Sequence, residues 1–182
     1  MLSKAPGNRL NIYTDDYCIF DLETTGVSSK KDEIIEISAV KVKGGEVVDE
    51  FTTLVNPGIP IPYRASMVNG IYDDMVSGAP SIEVALADFS DFVEDMILIG
   101  HNIHVFDMRF IWRDARKYYG KTIGNDYIDT LSLATRLLPK LERHTLVALA
   151  AHYNISTDGA HRALNDCRMN QQVYEYLKKE TV

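Results

Sequence analysis

Cysteine is scarce. Cys18 and Cys167 are the only two in 182 residues. Each sits inside an apolar pattern and no CxxC spacing occurs, which argues against a disulfide framework or a zinc knuckle and for a reducing, cytoplasmic setting. No apolar run approaches the roughly 20 residues that a membrane helix needs. The opening MLSKAPGNRLNIYTDDY is too polar for a signal-peptide core. The chain therefore reads as soluble, unexported and free of membrane contacts. Positive charge is also in deficit, with 19 Lys and Arg against 26 Asp and Glu, a net charge of −7. That balance argues against wholesale wrapping of nucleic acid and predicts a shallower salt dependence than that of a protein making about 6–10 phosphate contacts. Internal repeats and low-complexity segments are missing, and the length leaves room for one domain only.

The deficit is uneven. Residues 1–108 carry 7 Lys and Arg against 18 Asp and Glu, whereas residues 109–182 carry 12 against 8. Such a split describes either two solvated faces or a carboxylate-rich site bordered by cations.

Residues 17–23 are short, β-prone and closed by Thr24-Thr25-Gly26, so they read as a buried strand running into a turn. The β-branched stretches 33–43 and 46–55, separated by Gly44-Gly45, read as a hairpin. A proline-rich connector at 56–62 precedes a short helix at 64–69. Ser81 is placed to cap a stronger helix carrying Ile82, Ala85, Leu86, Phe89 and Val93 at helical spacing. Residues 96–100 form an expected strand, 103–119 a helix, and 127–128 a brief strand. Helical stretches follow at 131–138, 146–153 and 160–178. Strands first, then strands alternating with helices, define an α/β domain around a mixed sheet.

Three clusters carry chemistry. Asp21 and Glu23 stand two apart on an otherwise apolar strand, and a period of two turns both carboxylates to one face, where they are stable only if exposed, protonated or bridged by a cation. A strand ending at Phe20, with both carboxylates solvated in the turn, is the competing description. Asp107 has Ile103, Phe110 and Ile111 at helical spacing, which puts a lone charge on a core face; an Asp stabilised at a helix N-terminus is the alternative. His161 and Asp166 are five apart, about 140° round a helix, so both point at one site only if His161 lies at or before the first helical turn. His104, His144 and His152 read as packing or surface residues, and the cysteines as small core residues. Four carboxylates from three elements plus one histidine match what phosphodiester hydrolysis requires: oxygen ligands for magnesium or manganese, and a base.

Phe20-Asp21-Leu22-Glu23-Thr24-Thr25-Gly26, Gly100-His101-Asn102 with Phe106-Asp107, and His161-Arg162-Ala163-Leu164 with Asp166 together resemble the three motifs of the DEDDh exonucleases. That group includes the proofreading exonuclease of bacterial DNA polymerase III. Asn69-Gly70-Ile71 is similar to the family's substrate-side element. The resemblance implies a ribonuclease-H-like fold, with a central mixed five-stranded sheet flanked by helices, over residues 17–182. Residues 1–16 are left as a polar N-terminal extension, and no long tail follows the last helix.

It also implies a 3′→5′ exonuclease using two Mg2+ or Mn2+ ions. Asp21, Glu23, Asp107 and Asp166 would be metal ligands, with Asp21 shared by both ions, and His161 the general base. Thr24, Thr25, Gly26, Ile71, His101, Asn102 and Phe106 would line or support the terminal nucleotide. Single-stranded DNA 3′ ends are the implied substrate, with RNA trimming or oligoribonucleotide degradation as the alternative and a polymerase or repair protein as a partner. A catalytically silent binding domain is the remaining reading.

Overall fold

In a computed structural model describing residues 2–180, the elements run β1 (Leu2–Ser3), β2 (Tyr17–Thr24), β3 (Ile34–Lys43), β4 (Glu46–Leu54), α1 (Tyr63–Asn69), α2 (Asp73–Val76) and α3 (Ile82–Val93). They continue with β5 (Ile97–Gly100), α4 (Asp107–Tyr119), β6 (Thr122–Ile123), β7 (Tyr127–Asp129), α5 (Thr130–Leu137), α6 (Leu146–His152) and α7 (Ala163–Lys179). The main sheet has the order β4-β3-β2-β5-β7. β2, β3 and β4 pair antiparallel, whereas β5 joins β2 and β7 in parallel. This is the mixed five-stranded sheet expected from the sequence. Gly44 and Gly45 close the hairpin at φ 59° and 82°, a left-handed pair that glycine adopts without steric cost.

Strand periodicity divides the core. Cys18, Phe20 and Leu22 face α3 and α4, packing with Phe89, Phe110 and Ile111. Tyr17 and Ile19 face the other way, into a layer with Leu149, Val173 and Tyr174. The same alternation carries Asp21 and Glu23 onto the α7 side, past the end of that apolar layer. β2 continues through Thr24, so the carboxylates belong to the strand and not to a solvated turn.

Two helices begin later than their periodicity suggests. α4 starts at Asp107, not at 103: Asn102 takes φ 62°, and the backbone N–H groups of Val105 and Phe106 both donate to the Asn102 carbonyl in a closed turn. α7 starts at Ala163, not at 160, because Gly159 and His161 take φ 73° and 68°, outside the right-handed helical region. Ser81 occupies the N-cap position of α3 without a side-chain cap hydrogen bond. The four-residue α2 and the short β1–β6 pair carry no sequence signal of their own. Residues of the polar N-terminal stretch lie along the outer edge of β7: Leu10 N–H donates to the Tyr127 carbonyl at 2.7 Å and Tyr127 N–H to the Asn8 carbonyl at 2.9 Å. Among the described residues, no helix is long and apolar enough to cross a membrane.

Candidate active site

β5 stops pairing with β2 at Ile19, leaving the last residues of β2 without a neighbour on that edge. Three elements converge there. β2 supplies Asp21 and Glu23, the first turn of α7 supplies Asp166, and each offers an oxygen within 4.8 Å of the others. Asp107, the first residue of α4, comes over the strand end and accepts from the Leu22 backbone N–H. It is only 2% exposed, and its Oδ1 lacks a hydrogen-bond partner.

Electrostatics follow from this crowding. Burial, then the charges of Asp107, Glu23, Asp166 and Glu36, hold the Asp21 carboxyl well above the ordinary range. Glu23 is pushed up to about 8 by burial and by Asp166 and Glu36. Burial also raises Asp107 and Asp166, against hydrogen bonds from backbone N–H groups. An orphaned buried carboxylate oxygen beside three mutually repelling carboxyls is a set of hard oxygen donors, and it fits Mg2+ or Mn2+ better than a soft, thiophilic metal.

His161 precedes α7, as its spacing from Asp166 requires. Its backbone N–H donates to Asp166 Oδ2 at 3.1 Å, and its side chain is exposed. The turn that carries it is pinned twice. Asn165 Nδ2 donates to the Gly159 carbonyl at 3.0 Å, and Arg162 grips Glu36 with Nη2 at 2.8 Å and Nε at 3.3 Å.

Beside the carboxylates lies a pocket of about 460 Å³ whose lining includes Thr24, Thr25, Gly26, Arg64, Asn69 and Phe106. The Thr24 hydroxyl donates to the Gly26 carbonyl at 2.7 Å and Thr25 Oγ1 accepts from Glu33 N–H at 2.9 Å, so these threonines shape the wall by closing its turn.

Three expected substrate residues are not on this pocket's wall. Ile71 is fully buried with Ile35, Ile61 and Val76, because its side chain completes a small core under α1 and α2. His101 turns its Nδ1 to Thr130 Oγ1 at 3.2 Å, and burial pushes it down to about 4, leaving it neutral at neutral pH. Asn102 acts through its backbone, with its N–H on Asp129 Oδ1 at 3.1 Å.

Asn69 and Glu36 take roles that the motifs do not assign to them. The Asn69 amide donates to Glu23, and its oxygen accepts from Ile71 N–H at 3.0 Å, so the Asn-Gly-Ile element orients a carboxylate from below. Glu36, 3% exposed, is the cross-strand partner of Glu23 and accepts from Ala163 N–H at 3.1 Å as well as from Arg162. A charged residue within the apolar run of residues 34–40 was the available signal. Glu36→Gln should cost about 2 kcal/mol, since hydrogen bonds to a charged group contribute about 1.5–3 kcal/mol. In a domain of this size that lowers the melting midpoint by about 4–8 °C; an unchanged thermal melt would show the clasp to be dispensable.

Geometry thus defines a class first: a carboxylate-centred, candidate metal-binding site at the open end of a mixed sheet. The family model described as Exonuclease (RNase_T) matches residues 18–174. A DNA polymerase III subunit epsilon from Aquifex aeolicus is 36% identical over 172 residues, covering 94% of this chain and 85% of that protein. A PolC-type DNA polymerase III from Clostridium perfringens is 41% identical over 168 residues, covering 92% of this chain, which spans only 12% of that longer protein. Among solved structures, Exonuclease X in complex with 5′ overhanging duplex DNA superposes with a TM-score of 0.75 at 26% identity, covering 90% of this chain and 91% of that one. Escherichia coli Exonuclease I in complex with a dT13 oligonucleotide gives 0.80 at 16% identity, covering 92% and 42%, a likeness of fold.

The chain belongs to the RNase_T exonuclease family, in its DEDDh-type branch. Its fold is ribonuclease-H-like, and its family is one of nuclease hydrolases.

Proposed function

We propose that this chain is a metal-dependent 3′→5′ exonuclease that removes nucleotides from single-stranded DNA ends and releases nucleoside 5′-monophosphates. The observation that carries this reading is the convergence of Asp21, Glu23 and Asp166 within 4.8 Å, beside the buried, unpartnered oxygen of Asp107. These four would hold two Mg2+ or Mn2+ ions, with Asp21 shared. Bound there, such ions stabilise the attacking and leaving oxygens of an in-line displacement.

The chain's own residues supply the rest. The pocket walled by Thr24, Gly26 and Phe106 holds the terminal nucleotide, its apolar wall against base or sugar. His161 takes the proton from the attacking water as the new P–O bond forms and the bond to the 3′ oxygen of the preceding nucleotide breaks. Asn69 and Arg162 keep Glu23 and the His161 turn in place. The likeness to polymerase III exonucleases supports DNA as substrate, and a replicative polymerase as partner.

Matched 5′-labelled DNA and RNA oligomers with Mg2+ or Mn2+ test this reading. The expected product is a one-nucleotide ladder shortening from the 3′ end of DNA. Full turnover in excess chelator, or RNA degraded faster than DNA, overturns it.

A further inference from the structure

The Phe106 wall of the pocket leads directly onto a basic face. Phe106 and Phe110 pack with their rings tilted and centroids 5.1 Å apart, and the Arg113 guanidinium lies 5.3 Å from the centre of the Phe110 ring. Arg109, Arg113, Arg116 and Lys117 fall at intervals of four, three and one, which places them on one stripe of α4. Arg113 donates to the carbonyls of Ser29 at 2.8 Å and Asp32 at 2.6 Å, fastening the loop after Gly26 against that stripe. Within this loop Ser28 N–H binds Asp32 Oδ2 at 2.8 Å. Lys30 and Lys31 are therefore presented, exposed, by a held loop beside the helix.

Residues 26–33 and 109–121 hold seven Lys and Arg against three carboxylates, an excess of +4 in a chain whose net charge is −7. Those three carboxylates are committed: Glu33 and Asp114 to Arg113 at 2.8 and 2.7 Å, and Asp32 to its own loop. Among the described residues, Lys30, Lys31, Arg109 and Arg116 have no carboxylate within ion-pairing distance. Lys117 lies against the Tyr118 ring at 4.7 Å, near enough to Glu33 and Asp114 to feel their charge. From Arg109 to Lys117 the stripe extends about 12 Å at 1.5 Å per residue, room for two or three phosphates of an extended single strand, with Lys30 and Lys31 beside them.

We propose that this face, formed by Lys30 and Lys31 with Arg109 and Arg116, and held together by Arg113, is the track for the phosphate backbone of the strand upstream of the terminal nucleotide. The assignment rests on the nuclease reading above, because that reading puts the strand's end at Phe106. It reverses what net charge alone predicts: salt dependence is set by the local excess and not by the total of −7.

The test compares parent chain with the Lys30→Gln/Lys31→Gln/Arg109→Gln/Arg116→Gln variant, whose four native side chains make no hydrogen bonds among the described residues. In magnesium, kcat/KM for dT3 and dT12 is measured between 50 and 200 mM KCl. At about 0.7 per phosphate contact for single strands, four contacts make the log–log slope for dT12 steeper than for dT3 by about 2 to 3. In the variant this difference should vanish, with kcat/KM for dT12 falling tenfold or more relative to dT3 through KM. Fluorescence anisotropy of 5′-labelled dT12 in chelator reads the track without hydrolysis and should show the same loss. Equal slopes in parent and variant, or poly-L-glutamate displacing dT12 at equal charge concentration, overturn the track. A parent that hydrolyses neither oligomer but loses dT12 binding on substitution would sink the nuclease reading and leave the track standing.

Discussion

Asp21→Asn is expected to abolish hydrolysis while leaving the metal-free protein as stable as the parent or more so. Asp21 is half-buried and surrounded by the charges of Asp107, Glu23, Asp166 and Glu36, which together hold its carboxyl above the ordinary range. An amide of the same shape cannot ionise, so it avoids the repulsion that the neighbouring carboxylates impose on an ionised Asp21. On the proposed function Asp21 would help hold the metal, whose Lewis acidity would supply several kcal/mol of transition-state stabilisation. At 1.36 kcal/mol per tenfold, its loss lowers kcat by about 10³-fold or more.

The stability arm has a definite sign. Glu23 has its pKa raised to about 8 from 4.5. In that interval the folded state keeps a proton that the unfolded chain has lost, so stability present at low pH is lost as pH rises towards 8. The parent in chelator should therefore melt at a lower temperature at pH 8.5 than at pH 5.5, and the variant should show a smaller decline. Magnesium at 100 times its dissociation constant should raise the parent by roughly 2.7 kcal/mol, about 5–11 °C at this size, and the variant by much less. Thermal melts with chelator and with saturating magnesium decide it. A variant markedly less stable without metal, yet gaining as much from magnesium as the parent, would mean that these carboxylates serve structural hydrogen bonds.

His161→Ala should lower kcat by about 10²–10⁴-fold, the usual contribution of general acid–base assistance, with magnesium affinity nearly unchanged. The reason is local. The contact from His161 to Asp166 comes from the backbone N–H at 3.1 Å, which alanine retains. Glu36 and Asn165 anchor the turn through residues other than the imidazole. Isothermal calorimetry with magnesium separates the roles. A loss of affinity as severe as that of Asp166→Ala would make His161 a ligand.

Legibility differed among the site's parts for physical reasons. Asp21 and Glu23 are readable because strand alternation is a property of consecutive residues, and Tyr17 and Ile19 already declare which face they share. Asp166 and His161 are readable once a helix start lies between them, and the Gly159 signal indicates that start. Asp107 is harder. The periodicity of residues 103–119 suggests a longer helix, and only the left-handed Asn102 turn shows why the carboxylate stands at the first helical position.

Ile71 and Glu36 mark the limit. An apolar residue beside a glycine reads equally well as a substrate contact or as core, and its choice depends on Ile35 and Ile61 arriving from elsewhere in the chain. Glu36 takes its role from a cross-strand register that sets it opposite Glu23, and from an arginine 126 residues away. The sequence by itself determined the strands, the hairpin and the apolar stripes, which follow from periods of 2.0 and 3.6 and from turn residues along a local segment, while the carboxylate motifs were legible as a set through their resemblance to a known family. Only the tertiary structure decided which carboxylates meet, which hydrogen bonds hold them and where the unpaired cations gather. Those outcomes depend on pairing register and packing between distant segments, and no local period encodes them.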